Sequence, residues 1–226
     1  DVGFIAFPDE RRRLSREYLL MTSKRAARRA DQIITVSEFS KQEIMRYFHT
    51  PADRIHVTHL GYDAKRYVPR QGGAVTSDKP YILFVGRRER RKNIRMLVVA
   101  YEILARTLEK DVPDLVLAGP PGHHAAEIDA YINQSPALHS IRILNWISEE
   151  EKISLLQNAA LYVQPSLYEG FGLPVIEAQA CGVPVMCSRI PALSEVAGEG
   201  AIFADPSQGG EWAVKMEKIL FDQDLR

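Results

Sequence analysis

Short, almost uninterrupted apolar segments recur along the second two-thirds of the chain. They lie at residues 81–86, 114–119, 140–145, 160–165, 183–188 and 201–206. These segments are too apolar to alternate, as expected for strands that are covered on both faces. Stretches with a helical pattern separate them, at residues 94–109, 124–133, 149–158, 173–180 and 210–221. This strand–helix alternation predicts an α/β fold with a doubly wound, parallel sheet and right-handed crossovers.

The first part of the chain has fewer elements. Residues 14–30 read as a strongly basic helix and residues 32–36 as a short apolar strand. Ser37 is a candidate N-cap for a helix that runs to about residue 48, and residues 54–60 supply a second strand. These elements are too few to close a sheet of their own.

A stretch rich in Gly, Pro and small polar residues, at 69–80, has no apolar period and reads as a linker. We therefore expect a front unit at 1–68 and a Rossmann-like unit at 81–226. The chain begins with Asp rather than Met and ends within a helical pattern. Both ends are interpreted as cut.

Composition excludes several classes of protein. Hydrophobic residues make up 46% of the 226 residues and charged residues 26%, a balance typical of globular proteins rather than disordered ones. Lys and Arg together equal Asp and Glu, 29 against 29, so no overall field indicates nucleic acid as a partner. Cys181 and Cys187 read as small buried hydrophobes in a reducing compartment. No apolar run reaches the ~18–20 residues of a membrane span and no signal peptide is evident, so a cytoplasmic location is expected.

Ligands of doubly wound sheets bind at the loops that follow the strands. The first such loop is "GRRERRKN" at 86–93, where Gly86 permits a tight turn and a helix begins near Asn93. Free amides at a helix N-terminus, together with the charges of the five basic residues in this loop, predict a phosphate site. The pattern is neither a P-loop nor a dinucleotide fingerprint. The alternative is a solvated basic turn.

The second loop is "LAGPPGHH" at 117–124, which either approaches the same ligand with its backbone or only makes a turn. His123 and His124 have no carboxylate or cysteine nearby at metal-ligand spacing, so no metal site is predicted there.

The third loop, "YEGFGLP" at 168–174, joins an apolar strand to a helix. Gly170 and Gly172 allow backbone amides to line a concavity. Glu169 lies in the loop and Glu177 lies in the first turns of the helix. Carboxylates bind vicinal hydroxyl groups, so the pair suits a ligand with a polyol at each end. The alternative is that both glutamates are ordinary surface residues.

The combination of "GRRERRKN", "YEGFGLPVIEA" and "GVPVMCSRIPALSEVAGEGAIFADP" resembles the retaining glycosyltransferases of the large bacterial family 4. The earlier stretches "RAARRADQIITVSEFSKQEIMRYF" and "RIHVTHLGYD" are similar to the end of that family's N-terminal domain. The resemblance implies a GT-B fold and a nucleotide-sugar donor. It also implies that a glycine-rich loop and a histidine, which family members carry further forward, are missing, together with the closing helix.

The resemblance implies a role for each matching residue. Arg87 and Lys92 would clamp the donor diphosphate, and Glu169 would act on the transferred sugar as the catalytic residue. Glu177 would hold the ribose hydroxyls. The other expected donor-binding residues are Gly86, Trp146 and Ile147, which border the base or phosphate, and Gly170, Phe171, Gly172 and Leu173, which line the sugar. No metal and no cofactor is expected, because Arg, Lys and helix N-termini neutralise the diphosphate in this family.

The expected activity is transfer of a hexose from a UDP- or GDP-sugar to a polysaccharide, lipopolysaccharide or glycolipid acceptor, with retention. A nucleotide-sugar epimerase, a phosphorylase and a non-catalytic nucleotide-sugar binding module stay open as alternatives on the same scaffold. The basic helix near the start of the chain suits either a solvated surface or peripheral contact with an anionic membrane.

Overall fold

A computed structural model describes residues 2–70 and 79–222. Within these ranges the strands are β1 (Ile33–Thr35), β2 (Ile55–Val57), β3 (Tyr81–Val85), β4 (Asp114–Ala118), β5 (Ile141–Leu144), β6 (Leu161–Gln164), β7 (Val185–Ser188) and β8 (Ile202–Ala204). The α-helices are α1 (Gly3–Ala6), α2 (Arg13–Arg29), α3 (Glu38–Phe48), α4 (Ile94–Leu108), α5 (Ala125–Asn133), α6 (Glu149–Asn158), α7 (Leu173–Ala180), α8 (Pro191–Ala197) and α9 (Gly209–Phe221).

The larger sheet has six strands in the order β5–β4–β3–β6–β7–β8, and each neighbouring pair is parallel. Its central strand β3 is buried along its whole length, because α4 and α9 cover one face while α6, α7 and α8 cover the other. Burial on both faces explains the uninterrupted apolar pattern of this strand. The predicted α/β class and doubly wound parallel sheet are confirmed.

In the described part of the front unit, the strands are the parallel pair β1–β2, which packs against α2 and α3. The predicted helices and strands are all present, with ends that differ by a few residues. Helices α1 and α8 were not predicted from the pattern. With four and seven residues, they are too short for a helical period to be recognised. Residues 71–78 of the predicted linker and the last four residues of the sequence lie outside the described residues.

The strand order reverses between β3 and β6. From β3 the chain builds outward through β4 to β5, and it then returns to the other side of β3 to form β6, β7 and β8. A reversal of this kind opens a crevice at the carboxyl ends of the two central strands. The loops that line this crevice are the first loop singled out in the sequence, at 86–93, and the loop at 165–172, which overlaps the third one at 168–174.

The second loop approaches the first very closely. A Cβ atom on Gly119, which follows β4, would lie 2.4 Å from the carbonyl oxygen of Gly86. Gly119 also has φ +138°, a conformation that other residues rarely adopt. Glycine is therefore required where the two loops cross, and the close packing fixes the start of the basic loop.

Candidate functional site

The basic loop makes a single 3₁₀ turn, Arg90–Lys92, before α4 begins. Asn93 adopts a left-handed conformation, with φ 57°, and its side-chain amide donates to the carbonyl oxygen of Pro206 at 2.8 Å rather than capping the helix. The first amides of α4 therefore have no side-chain cap from Asn93. The helix starts where the sequence predicted it.

Two of the five basic residues in this loop do not contribute free charge. Arg88 is buried, binds both carboxylate oxygens of Asp129, and donates further to Asn145 and to the carbonyl oxygen of Gly119. Arg90 lies on the surface and pairs with Glu127 at 2.6 Å. Acidic residues of α5 hold these two side chains, and the phosphate site predicted for this loop stays a prediction.

Arg91 and Lys92 connect the basic loop to the third loop. The Nζ atom of Lys92 lies 2.5 Å from Oε1 of Glu169, and a guanidinium nitrogen of Arg91 lies 3.2 Å from Oε2 of the same carboxylate. A backbone hydrogen bond from Leu167 to the carbonyl oxygen of Arg91, at 2.8 Å, joins the two loops as well. The structure thus brings together two sequence-predicted site residues that are 77 positions apart.

Glu169 is buried, with 7% of its surface exposed. In addition to Lys92, its Oε1 atom accepts hydrogen bonds from Gln164 and Ser166, each at 2.7 Å. Burial alone would raise the pKa of Glu169, but Lys92 and Arg91 outweigh it and hold the pKa below its ordinary value. Glu169 is thus a buried carboxylate that stays ionised. Within the described ranges its Oε2 atom accepts from Arg91 alone, so this atom retains capacity for a ligand hydroxyl.

The glycine turn that follows Glu169 is also buried, through Gly170, Phe171 and Gly172. Gly172 has φ +107°, and a Cβ there would lie 2.5 Å from the side chain of Leu193 in α8. Among the described residues, the backbone amides of these three positions have no hydrogen-bond acceptor. Buried amides of proteins are normally paired, so this turn presents donors that suit the oxygen atoms of a bound ligand.

Glu177 is buried in α7, at 4% exposure, and accepts a hydrogen bond from Lys152 of α6 at 3.0 Å. Lys152 also pairs with Glu149 at 3.1 Å and lies over the ring of Tyr67. This second polar group lies at the other end of the glycine turn from Glu169. Both glutamates are therefore buried, so the interpretation as ordinary surface residues is wrong.

The remaining predicted site residues line open surface. Trp146 is 78% exposed and Ile147 is half-buried, both between β5 and α6. Arg87 is exposed and, within the described residues, forms no ion pair. It lines a polar cleft of about 320 Å³ with Glu10, Glu89 and Arg91, between the front unit and the basic loop. Trp146 and Arg87 are therefore accessible to a ligand, and Ile147 is partly so.

The loop after β4 contacts both the basic loop and the front unit. Arg88 forms an isolated parallel bridge with Pro121, and the ring of His124 lies 2.9 Å from the carbonyl oxygen of Asp9. Within residues 2–70 and 79–222, no three His, Cys, Asp or Glu side chains are grouped so that they could hold a metal ion. No helix in these ranges is long and apolar enough to cross a membrane.

Several residues of the site were not predicted from the sequence. Gln164 and Ser166 support Glu169, while Lys152 and Tyr67 surround Glu177. Gln164 and Ser166 gave one usable signal, because a polar residue at the end of an apolar strand points to the ligand edge of a parallel sheet. Lys152 and Tyr67 gave none, since Glu177 is distant from both of them in the chain.

Comparison with known proteins places these features in one family. Residues 69–226 match the family model "Glycosyl transferases group 1", and residues 4–66 match "Glycosyltransferase Family 4". O-antigen chain mannosyltransferase B of Escherichia coli is 36% identical over 87% of this chain and 53% of its own length. MMP α-(1→4)-mannosyltransferase of Mycolicibacterium hassiacum is 32% identical over 87% of this chain and 47% of its own. The chain thus spans about half the length of these relatives.

Solved structures agree on the fold. Sucrose-phosphate synthase of Thermosynechococcus elongatus superposes with a TM-score of 0.75 at 26% identity, over 91% of this chain and 53% of that one. Anabaena HepE in complex with UDP-glucose superposes with a TM-score of 0.77 at 18% identity, over 88% and 56% respectively. Both are GT-B glycosyltransferases. The chain therefore belongs to the group 1 glycosyl transferases, with a front unit of the family 4 type.

Proposed function

We propose that the chain is the nucleotide-sugar-binding part of a hexosyltransferase, with residues 81–226 binding the donor and residues 1–68 belonging to the acceptor-side domain. The observation that carries this proposal is the buried, ionised Glu169 at the topological switch point, next to a glycine turn with unpaired amides. A carboxylate acceptor beside several amide donors is the arrangement that recognises a sugar ring, whose hydroxyl groups both donate and accept. The donor sugar would lie against this turn.

We propose mannose as the transferred sugar, because relatives with 31–36% identity are named mannosyltransferases. The name of one relative, O-antigen chain mannosyltransferase B, favours a polysaccharide or lipopolysaccharide acceptor. Transfer with retention follows from the retaining enzymes that the paired-glutamate loop resembles. The anomeric configuration of the product, measured by NMR, tests this step.

The departing diphosphate needs positive charge, and we propose that Arg87 and Lys92 supply it. An ammonium group has three donors, so Lys92 can bind Glu169 and a phosphate oxygen together. Arg87 forms no ion pair among the described residues. Charge from these side chains and from the N-termini of α4 and α7 supports donor binding without a metal.

The test is calorimetric titration of the chain with GDP, GDP-mannose, UDP, UDP-glucose and ADP-glucose, with and without EDTA. We expect one nucleotide-sugar to bind more tightly than its free nucleotide, because the sugar adds contacts with Glu169 and the turn. EDTA is expected to leave that affinity unchanged. Equal affinity for a nucleotide and its sugar conjugate would contradict a sugar site at Glu169. Binding without transfer in the presence of an acceptor would favour a non-catalytic module.

We also propose that α2 contacts an anionic membrane surface. Leu14, Tyr18 and Met21 lie at helical spacing along one side of this helix and are 85%, 63% and 64% exposed. The helix carries six basic residues against one acidic residue, Glu17. Exposed apolar side chains on a basic helix suit the interface of an anionic bilayer, where the acceptor lipids of many polysaccharides reside.

We expect the chain to sediment with vesicles that contain phosphatidylglycerol and to remain in the supernatant with pure phosphatidylcholine. The variant Leu14→Glu/Met21→Glu should lose sedimentation with the anionic vesicles while keeping its circular dichroism spectrum. Val214→Glu, which changes a similarly exposed residue of α9, serves as the control. Equal binding by all three proteins would rule out α2 as the contact.

A further inference from the structure

The carbonyl oxygen of Gly170, in the glycine turn, is held by two serines of the front unit. The hydroxyl of Ser37 donates to it at 2.6 Å and the hydroxyl of Ser40 donates at 3.0 Å. Both serines have 0% of their surface exposed. Ser37 is also the N-cap of α3, since its hydroxyl accepts from the amide of Ser40 at 3.0 Å. These contacts span 133 and 130 positions of the chain.

Glu195 of α8 also joins helix α3 to the Rossmann-like unit. One carboxylate oxygen accepts from the amide of Glu38 at 2.7 Å and the other from the amide of Phe39 at 3.1 Å. The ring of His59 lies 2.9 Å from the first of these oxygens. Burial would raise the pKa of Glu195, but these amides and His59 hold it below its ordinary value. The N-terminus of α3 is thus capped from both units at once.

The orientation of one peptide follows from these contacts. A trans peptide is planar, so the carbonyl of Gly170 and the amide of Phe171 point in opposite directions. Because Ser37 and Ser40 draw the carbonyl toward α3, the amide of Phe171 points away from α3. If the carbonyl were released, the peptide could rotate and withdraw this donor. Two ring contacts pack against the turn on the α3 side, Phe39 with Tyr168 and His59 with Phe171.

We propose that Ser37 and Ser40 are positioning residues, which orient the Gly170–Phe171 peptide so that its amide can donate to the transferred sugar. In this proposal Glu195 holds α3 at the position from which both serines reach the carbonyl oxygen of Gly170. The inference deepens the proposed function and rests on it for the identity of the ligand as a nucleotide-sugar. It assigns to the front unit a part in donor recognition. The serines do not touch the sugar themselves.

The test compares affinity for GDP with GDP-mannose, and for UDP with UDP-glucose, in four proteins: the unaltered chain, Ser40→Ala, Ser37→Ala/Ser40→Ala and Glu195→Ala. Each lost hydrogen bond is expected to weaken binding of the nucleotide-sugar about three- to tenfold, with the double variant weaker than the single. Affinity for the free nucleotide should stay within about twofold, because the turn contacts only the sugar. A general loss of structure would lower both affinities together.

Ser135→Ala is the matched control. Its hydroxyl is buried and binds Glu102 at 2.7 Å, but it lies beyond the end of α5, away from the turn. We expect Ser135→Ala to leave the difference in affinity between the free nucleotide and the nucleotide-sugar unchanged. An unchanged difference in the double variant as well would overturn the positioning role.

A second measurement does not depend on any ligand. The Phe171 amide has no acceptor among the described residues, so burial alone protects it from exchange with solvent. Its hydrogen exchange should be about tenfold faster in the double variant than in the unaltered chain, because a peptide that is no longer held exposes this amide more often. Amides of β3 should exchange at their original rates. If the unaltered chain binds no nucleotide-sugar, the proposed function fails, and the exchange of Phe171 still decides the role of the serines. Unchanged exchange at Phe171 would refute it.

Discussion

Lys92→Ala is expected to lower both the affinity for a nucleoside diphosphate and the free energy of unfolding. The ligand effect follows from loss of a charge-assisted hydrogen bond to phosphate, about 1.5–3 kcal/mol. The stability effect follows from leaving the buried carboxylate of Glu169 without its nearest cation. Breaking a buried ion pair costs about 3–5 kcal/mol, and the lower end applies because Arg91 remains. Calorimetry and urea denaturation measure the two quantities separately.

The companion variants separate the role of Lys92 in stability from its role in binding. In Lys92→Ala/Glu169→Gln the buried carboxylate is gone, so most of the lost stability should return while diphosphate affinity stays low. Lys215→Ala is the control, because Lys215 makes a half-exposed pair with Glu211 in α9 that contributes only about 0–1 kcal/mol. If Lys92→Ala leaves the diphosphate affinity unchanged, Lys92 does not bind the diphosphate.

The same pair predicts an acid dependence of stability. Because the pKa of Glu169 is lower in the folded chain than in the unfolded one, the unfolded chain binds more protons as the pH falls. The stabilisation is present above the unfolded value of about 4.3 and is lost as the pH falls through the folded pKa. Glu169→Gln should lack this component of the pH profile. A profile identical to that of the unaltered chain would show that Glu169 is not held ionised.

The sheet could be predicted from the sequence because a strand that is buried on both faces consists almost entirely of apolar residues. The run at 81–86 is apolar throughout, and β3 is buried throughout. The same rule located the site, since parallel strands bind ligands at their carboxyl ends. Glu169 was noticed because a carboxylate within an apolar segment needs a partner, and the structure supplies Lys92 and Arg91.

What the sequence did not predict depends on contacts between distant segments. Arg88 looked equivalent to its basic neighbours, yet it is buried against Asp129, which is 41 positions away. Ser37 was recognised as an N-cap, but its second role as a donor to Gly170 depends on how the front unit packs against the turn. Local patterns carry no information on such pairings, because tertiary packing alone decides which polar groups meet.

Substitutions of the two glutamates are expected to lower different ligand affinities. Glu177→Gln should weaken free nucleotide and nucleotide-sugar by the same factor, because its proposed hydroxyl partners belong to the ribose that both ligands contain. Loss of a charge-assisted hydrogen bond of about 1.5–3 kcal/mol corresponds to about 10- to 100-fold in affinity. Glu150→Gln is the control, since Glu150 lies exposed on α6 and pairs only with Arg66 at the surface.

Glu169→Gln should weaken the nucleotide-sugar by a similar factor and leave the free nucleotide at its original affinity or slightly above it. Its proposed hydroxyl partner belongs to the sugar, and neutralising it releases Lys92, whose Nζ atom lies 2.5 Å away, to donate fully to the diphosphate. The quantity to compare is the ratio of the two dissociation constants in each variant, obtained by calorimetry. That ratio should change in Glu169→Gln and remain constant in Glu177→Gln. Equal loss of free nucleotide in both variants would show that the sugar and ribose ends have been assigned to the wrong residues.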